Sequence, residues 1–216
     1  MTRKPGTGSY LIVAICLGTL GTKSFAQASK MNGQYEESSR RCAASESEHI
    51  NTLNNTVANN KQSSTYFAAA ANCISKQSFG IDSRLIRMDQ GVFVRAYPEI
   101  EAFYSSRGHS SKESSKIAVL AWAQYRSKHP SGQLTEASLI VASKSLGELV
   151  VKSHPPGAAV EVDETLWDGN TDISDWTSSG KHPIKLTKEG CKPVEGTVNV
   201  PATGSVTFEK TLNCAK

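Results

Sequence analysis

The stretch Ser153-His154-Pro155-Pro156-Gly157-Ala158-Ala159-Val160-Glu161-Val162-Asp163 reads as a tight turn feeding a half-buried β-strand. Two prolines restrict the backbone and Gly157 frees it, after which Val160 and Val162 alternate with Glu161 and Asp163. Outward from it, Leu149 to Ser153 forms a strand on one side. On the other lie alternating runs at His182 to Thr187 (Ile184 and Leu186 on one face), Val194 to Val200, and Ser205 to Leu212. Turn residues separate them at Asp168-Gly169-Asn170, Ser179-Gly180, Glu189-Gly190 and Thr203-Gly204. Five short strands at this spacing predict a small antiparallel β-sandwich over residues 147–214.

Upstream of Gly147-Glu148 the period becomes helical. Ser110-x-x-Glu113 has capping-box spacing, Ile117, Leu120, Ala121 and Tyr125 share one face, and Pro130-Ser131-Gly132 ends the helix. Thr135 opens a second helix with Leu139, Ala142 and Leu146 on one side and Gly147 beyond its end. The pair predicts an αα-hairpin, with Trp122 as a core or interdomain anchor. Ile50, Leu53 and Val57 also recur at helical spacing, and Tyr66 to Ile74 is a strong helix former. Gly80 to Tyr104 gives a mixed signal, because Val92 and Val94 alternate around Phe93 while Ile100, Phe103 and Tyr104 suit a helix. The fold class is therefore α+β in two domains: a mainly helical domain at 41–146 and the sandwich. A polar segment at 27–40 is expected as a flexible lead-in.

Residues 1–26 have the layout of an export signal: Arg3 and Lys4, an apolar run from Tyr10 to Leu20, then Ser24-Phe25-Ala26. The apolar run is too short for a transmembrane helix, which needs about 20 residues. The expected location is periplasmic or secreted, with no membrane span after processing. Of the 24 basic residues, Arg3, Lys4 and Lys23 lie in this segment, which leaves 21 against 20 acids. With near-neutral charge and no basic run interleaved with aromatics, nucleic acid is not expected as a partner. The charge is uneven, at −3 over residues 148–216 and +4 over residues 27–147. Cys16 leaves with the signal, and Cys42, Cys73, Cys191 and Cys214 allow two disulfides in three pairings. Cys42 and Cys73 suit a staple between two helices. None of the four forms a C-x-x-C pair, which argues against redox or zinc chemistry.

The C-terminal strands resemble the PEGA domain family. The likeness rests on Leu149 to Ser153, Pro156-Gly157-Ala158, Val160 to Asp163, Gly169 with Thr171, Gly180-Lys181-His182 and Lys188-Glu189-Gly190. The chain departs from the family at Glu164, where glycine is usual, at Asp172, where proline is usual, and at Cys191, where an aromatic is common. The last departure pairs naturally with Cys214 beyond the final strand, closing a loop of about two dozen residues worth roughly 3 kcal/mol in the chain-entropy model. The covalent framework expected is thus Cys42–Cys73 and Cys191–Cys214, one in each domain. The resemblance implies a β-sandwich surface module of envelope proteins without a catalytic site. More distantly, Cys42, Cys73 and the stretch Lys116 to Leu146 with His129-Pro130 resemble periplasmic immunity proteins that neutralise type VI secretion amidases.

No reaction is written in the sequence. A nucleophile elbow, a zincin helix motif, a P-loop and a dinucleotide fingerprint are all missing. Ser178-Ser179-Gly180-Lys181 has a Ser-x-x-Lys spacing without its companions, and His49, His109, His129, His154 and His182 are scattered. The acids Asp163, Glu164, Asp168, Asp172 and Asp175 do not fit a calcium loop, since Ile173 stands where glycine is needed. No cofactor or metal is expected. The candidate ligand loop runs from Glu164 to Ser179 and carries Trp167, Asp168, Asn170, Asp172 and Trp176. Its two tryptophans are core plugs or, in the alternative, a sugar-stacking platform. The expected function is a non-enzymatic envelope protein that binds another envelope protein or a cell-wall polysaccharide. The alternative is an immunity-type amidase inhibitor acting through the helical domain.

Overall fold

In the computed structural model, residues 34–45, 60–79 and 81–215 are described. The expected export segment, and Ile50, Leu53 and Val57, lie outside them. Among the described residues five helices precede seven strands. They are α1 (residues 34–45), α2 (Asn60–Ile74, continued by a π-helical turn Ser75–Phe79), α3 (Ser83–Ser105), α4 (Ser111–Lys128) and α5 (Glu136–Ser143). The strands are β1 (Leu146–His154), β2 (Ala159–Val162), β3 (Thr165–Asn170), β4 (Ile173–Ser178), β5 (Gly180–Thr187), β6 (Val194–Val200) and β7 (Ser205–Thr211). Among the described residues no helix is long and apolar enough to cross a membrane.

Two stretches differ from their reading in the sequence. Residues 34–40, expected as flexible, are helical, and Tyr35, Glu37, Ser39 and Arg40 in them are buried. Polar composition hid this helix because two of its buried groups, Glu37 and Arg40, are charged and pair with each other. The mixed stretch is also resolved, as the single 23-residue helix α3, with Pro98 inside it. Ile86, Asp89, Phe93, Ala96, Ile100 and Tyr104 recur every three or four residues and are buried, so the helical period prevails over the local Val-Phe-Val alternation. Pro98 lies on the exposed side, where water can meet the carbonyl that it leaves unpaired.

The αα-hairpin forms with both N-caps in place. Ser110 Oγ accepts from the Glu113 N–H, while the Glu113 carboxylate accepts from the Ser110 N–H at 2.9 Å. Thr135 and Ser138 make the equivalent exchange at α5. Helix α5 stops at Ser143, however, and Leu146 and Gly147 belong to β1. Gly147 is not a helix stop but a close approach: a Cβ there would lie 2.1 Å from the Pro201 carbonyl oxygen. The helical core centres on Trp122, which meets Phe67 edge-on with ring centroids 5.1 Å apart. Its Nε1–H donates to Asp89 at 2.7 Å, and the same carboxylate accepts from Arg126 at 2.5 and 2.6 Å. Arg126 also donates to the carbonyls of His129 and Gly132, which fixes the α4–α5 connection. A buried ion pair needs such complete satisfaction to hold.

The strands form two sheets with orders β4-β1-β7 and β3-β2-β5-β6. Leu149, Val151, Val160, Val162, Trp167, Ile184, Leu186, Val198, Val200 and Phe208 fill the space between them. The sandwich has two more strands than expected, since β3 and β4 occupy the segment read as a loop. It is also not purely antiparallel, because β7 runs parallel to β1. The chain crosses from β6 in one sheet to β7 in the other, and Thr203 N–H and Glu148 N–H anchor that corner to Leu146 and Gly204. Such a crossover carries β7 back alongside β1 in the same direction. Both disulfides form, Cys42–Cys73 between α1 and α2 and Cys191–Cys214 across an isolated bridge.

The β2–β3 hairpin turns on Asp163 (φ 52°) and Glu164 (φ 61°), both left-handed. Asp tolerates that region, whereas Glu is strained there. Glu164→Gly is therefore expected to stabilise the protein by about 1 kcal/mol, net of the extra freedom that glycine gives the unfolded chain. Thermal unfolding should show the midpoint rising by roughly 2–4 °C. An unchanged or lower midpoint would refute the strain.

Candidate interaction site between α1 and the sandwich edge

Each sheet leaves an edge strand on one side of the sandwich, β3 in one and β4 in the other. Exposed edges present unpaired N–H and C=O groups. Helix α1 lies across this side and meets both. Its sequence Glu36-Glu37-Ser38-Ser39-Arg40-Arg41 sets two acid-to-base pairs at i, i+4 spacing. Glu37 Oε2 accepts from Arg40 at 2.8 and 3.1 Å, and its Oε1 accepts the backbone N–H of Asp168 on β3 at 3.0 Å. Arg40 in turn reaches the Trp176 carbonyl on β4 at 3.5 Å and sits 4.4 Å above the Trp167 ring. Thr177 donates to Glu36 at 2.9 Å. The Arg40 and Glu37 side chains are only 5% and 4% exposed, so this charge pair is desolvated and each member depends on the other.

The second contact is aromatic. Trp176 projects from β4 into the helical core, where Tyr104 and His109 meet it edge-on at 5.4 and 5.2 Å. Tyr104 Oη donates to the Ser143 carbonyl, and burial raises its pKa to about 12. Around the indole, Lys116 pairs with Asp175 and Ser179 N–H donates to Ser145.

The five residues of the candidate ligand loop therefore separate. Trp167 faces the sandwich core beneath Arg40, and Trp176 faces the helices; both are buried and neither offers an open face for stacking. Asp168 and Asn170 are exposed on β3. Asp172 sits in the β3–β4 turn, where its Oδ1 accepts from Ser153 N–H at 3.3 Å. Asp163 and Asp175 are engaged with His182 and Lys116. Among the described residues, no three His, Cys, Asp or Glu side chains gather to hold a metal ion. Asp168, Asp175 and Ile173 do share an open crevice of about 380 Å³ with Arg41 and Ser45 of α1. Glu37 and Arg40 line it as well, and these were not singled out from the sequence, although their i, i+3 and i, i+4 charge spacing was there to be read.

His182 is a third tie. It is buried on β5, with Nδ1 2.6 Å from Asp163 Oδ2 and Nε2 2.8 Å from the Ser178 carbonyl. Two acceptors facing both ring nitrogens call for two N–H donors, which only the imidazolium supplies. Burial opposes the charge, but Asp163, the Ser178 carbonyl and Glu36 outweigh it and raise the pKa above the usual value. The ring thus links the β2–β3 turn of one sheet to the end of β4 in the other.

Compared with known families, residues 146–216 match the PEGA domain. No curated protein matches the chain. The match of the C-terminal unit to the PEGA domain suggests an extracellular or periplasmic binding or scaffold module, and the two disulfides fit that setting.

Two outcomes follow. Arg40→Ala strands a buried carboxylate and is expected to cost about 3–5 kcal/mol in chemical denaturation. The double variant Glu37→Leu with Arg40→Met should recover much of that loss, and failure to recover any would show that the pair is not coupled as drawn. For His182 the folded pKa is raised, so its stabilising contribution is full below about pH 6.5 and fades as pH rises through the folded value. The gap in unfolding midpoint between the parent and His182→Gln should narrow from mildly acidic to alkaline pH. A gap that widens instead would contradict the charged imidazole.

Proposed function

We propose that the protein is an exported, non-enzymatic envelope component whose PEGA domain binds another envelope protein or a cell-wall polysaccharide, with the helical domain as its mount. The observation that carries this reading is the way the sandwich is held. Its β3/β4 side is occupied by α1 and Trp176, which fixes the module at one orientation and keeps those two edges from pairing with other chains. The outer face of the four-stranded sheet stays accessible, with Leu166, Pro183 and Thr197 exposed on β3, β5 and β6. Opposite charges alternate across it from Glu161 to Lys185 to Glu195. A face of this kind suits a polar contact surface more than a hydrophobic groove.

Photo-crosslinking residues placed at Leu166 and Thr197 in the exported protein are expected to capture a discrete envelope partner, and sedimentation with purified cell-wall sacculi covers the polysaccharide arm. No capture at either position together with no sedimentation would overturn the proposal. Capture only from positions on α4 or α5 would instead move the contact to the helical domain.

A further inference from the structure

The helical domain gathers several cations at one of its ends. Gln90 on α3 bonds Ser64 on α2, and Ser75 Oγ donates to the Ile81 carbonyl, so α2 runs antiparallel to α3 and ends beside its start. The Asp89–Arg126 pair likewise sets the last turn of α4 next to the first turns of α3. Lys76, Arg84, Arg87 and Lys128 therefore meet at one pole, all exposed and, among the described residues, all without an acidic partner. The one exposed acid on α3 at this end, Asp82, is engaged as the α3 N-cap, accepting from Arg84 N–H. Next to Arg87, and one helical turn on from Arg84, stands Met88, 67% exposed and one of the three large apolar side chains most open to solvent among the described residues.

We propose that this pole docks on an anionic phospholipid surface. Charge complementarity selects the class of partner: four cations near one end, with no acidic partner among the described residues, match a plane of phosphates. Met88 selects a bilayer over a soluble polyanion. A thioether side chain amid cations gains nothing from a hydrated phosphate chain, whereas an interface buries it among acyl chains while the neighbouring arginines hold headgroups. The outward stripe is continuous along α3, since Gly91 adds no side chain between Arg87 and Arg95, and Arg95 is already paired with Glu136 of α5. The acidic PEGA domain would not share the attraction, so contact at this pole orients the molecule.

The test is sedimentation of the disulfide-bonded protein, purified from the periplasm of an expression host, with vesicles of phosphatidylcholine alone or mixed equally with phosphatidylglycerol. Binding should be stronger on the anionic vesicles and fall when salt is raised to about 0.5 M. Each cation beside such a leaflet contributes about fivefold, so Arg84→Glu with Arg87→Glu should weaken anionic binding by more than about tenfold. Met88→Ser should lower it a few-fold without altering the charge. Lys152→Glu with Lys181→Glu, the same change in net charge placed on the sandwich, should leave it nearly unchanged. The proposal is overturned by equal binding to both vesicle types, or by a sandwich control that weakens binding as much as the arginine pair. Arginine-dependent binding to soluble polyphosphate without vesicle binding would also overturn it, in favour of a free polyanion. Circular dichroism melts of each variant should match the parent, since all the substituted side chains are exposed.

Discussion

The arrangement of this protein depends on a buried charge pair, Glu37 with Arg40, placed where the open side of a β-sandwich meets a helical bundle. Desolvating two charges is costly, and attraction between them offsets that cost only when the remaining donors and acceptors are also used. Here they are: Glu37 takes an N–H from β3, while Arg40 takes a carbonyl from β4 and the face of Trp167. The pair thereby closes two sheet edges, one from each layer. Because Cys42 ties the same helix to α2, the closure is joined covalently to the helical core.

Three polar clusters of the same kind recur through the structure, each linking elements distant in sequence. Asp89 with Trp122 and Arg126 fixes α3 against α4 and the α4–α5 connection. Asp163 with His182 joins a hairpin turn to the strand end of the other sheet. Glu37 with Arg40 joins the domains. Asp89 and Glu37 are each shared among several donors, and His182 is shared between two acceptors, so satisfaction is collective and removal of one member leaves the others exposed to the desolvation penalty. Apolar packing supplies the bulk of the burial, and these clusters define which surfaces meet.

Much of the fold was legible. Val160 and Val162 alternate with acids and do face the sandwich core, Ser110 and Glu113 do make their capping box, and the PEGA likeness rested on residues lying within the matched region. The two disulfides pair one per domain, as their positions suggested. Strands β3 and β4 were not legible, because a run of acids, glycine and tryptophan has no period-2 signature when one face meets a core and the other a helix. Helix α1 was missed for a related reason: between Tyr35 and Cys42 its buried residues are Glu37, Ser39 and Arg40, which a hydrophobicity pattern counts as solvated.

The sequence by itself determined what local rules govern: helix caps, turn glycines, strand alternation and the change of period at the domain boundary. Each of these is settled within a few residues by backbone sterics and short-range hydrogen bonds. Only the tertiary structure decided the roles of Trp167 and Trp176, which the sequence left between core and platform. It also decided the parallel pairing of β1 with β7 and the burial of the α1 charges. These depend on groups more than fifty residues apart, where the outcome turns on whether a distant partner arrives to satisfy a polar atom or cover a ring.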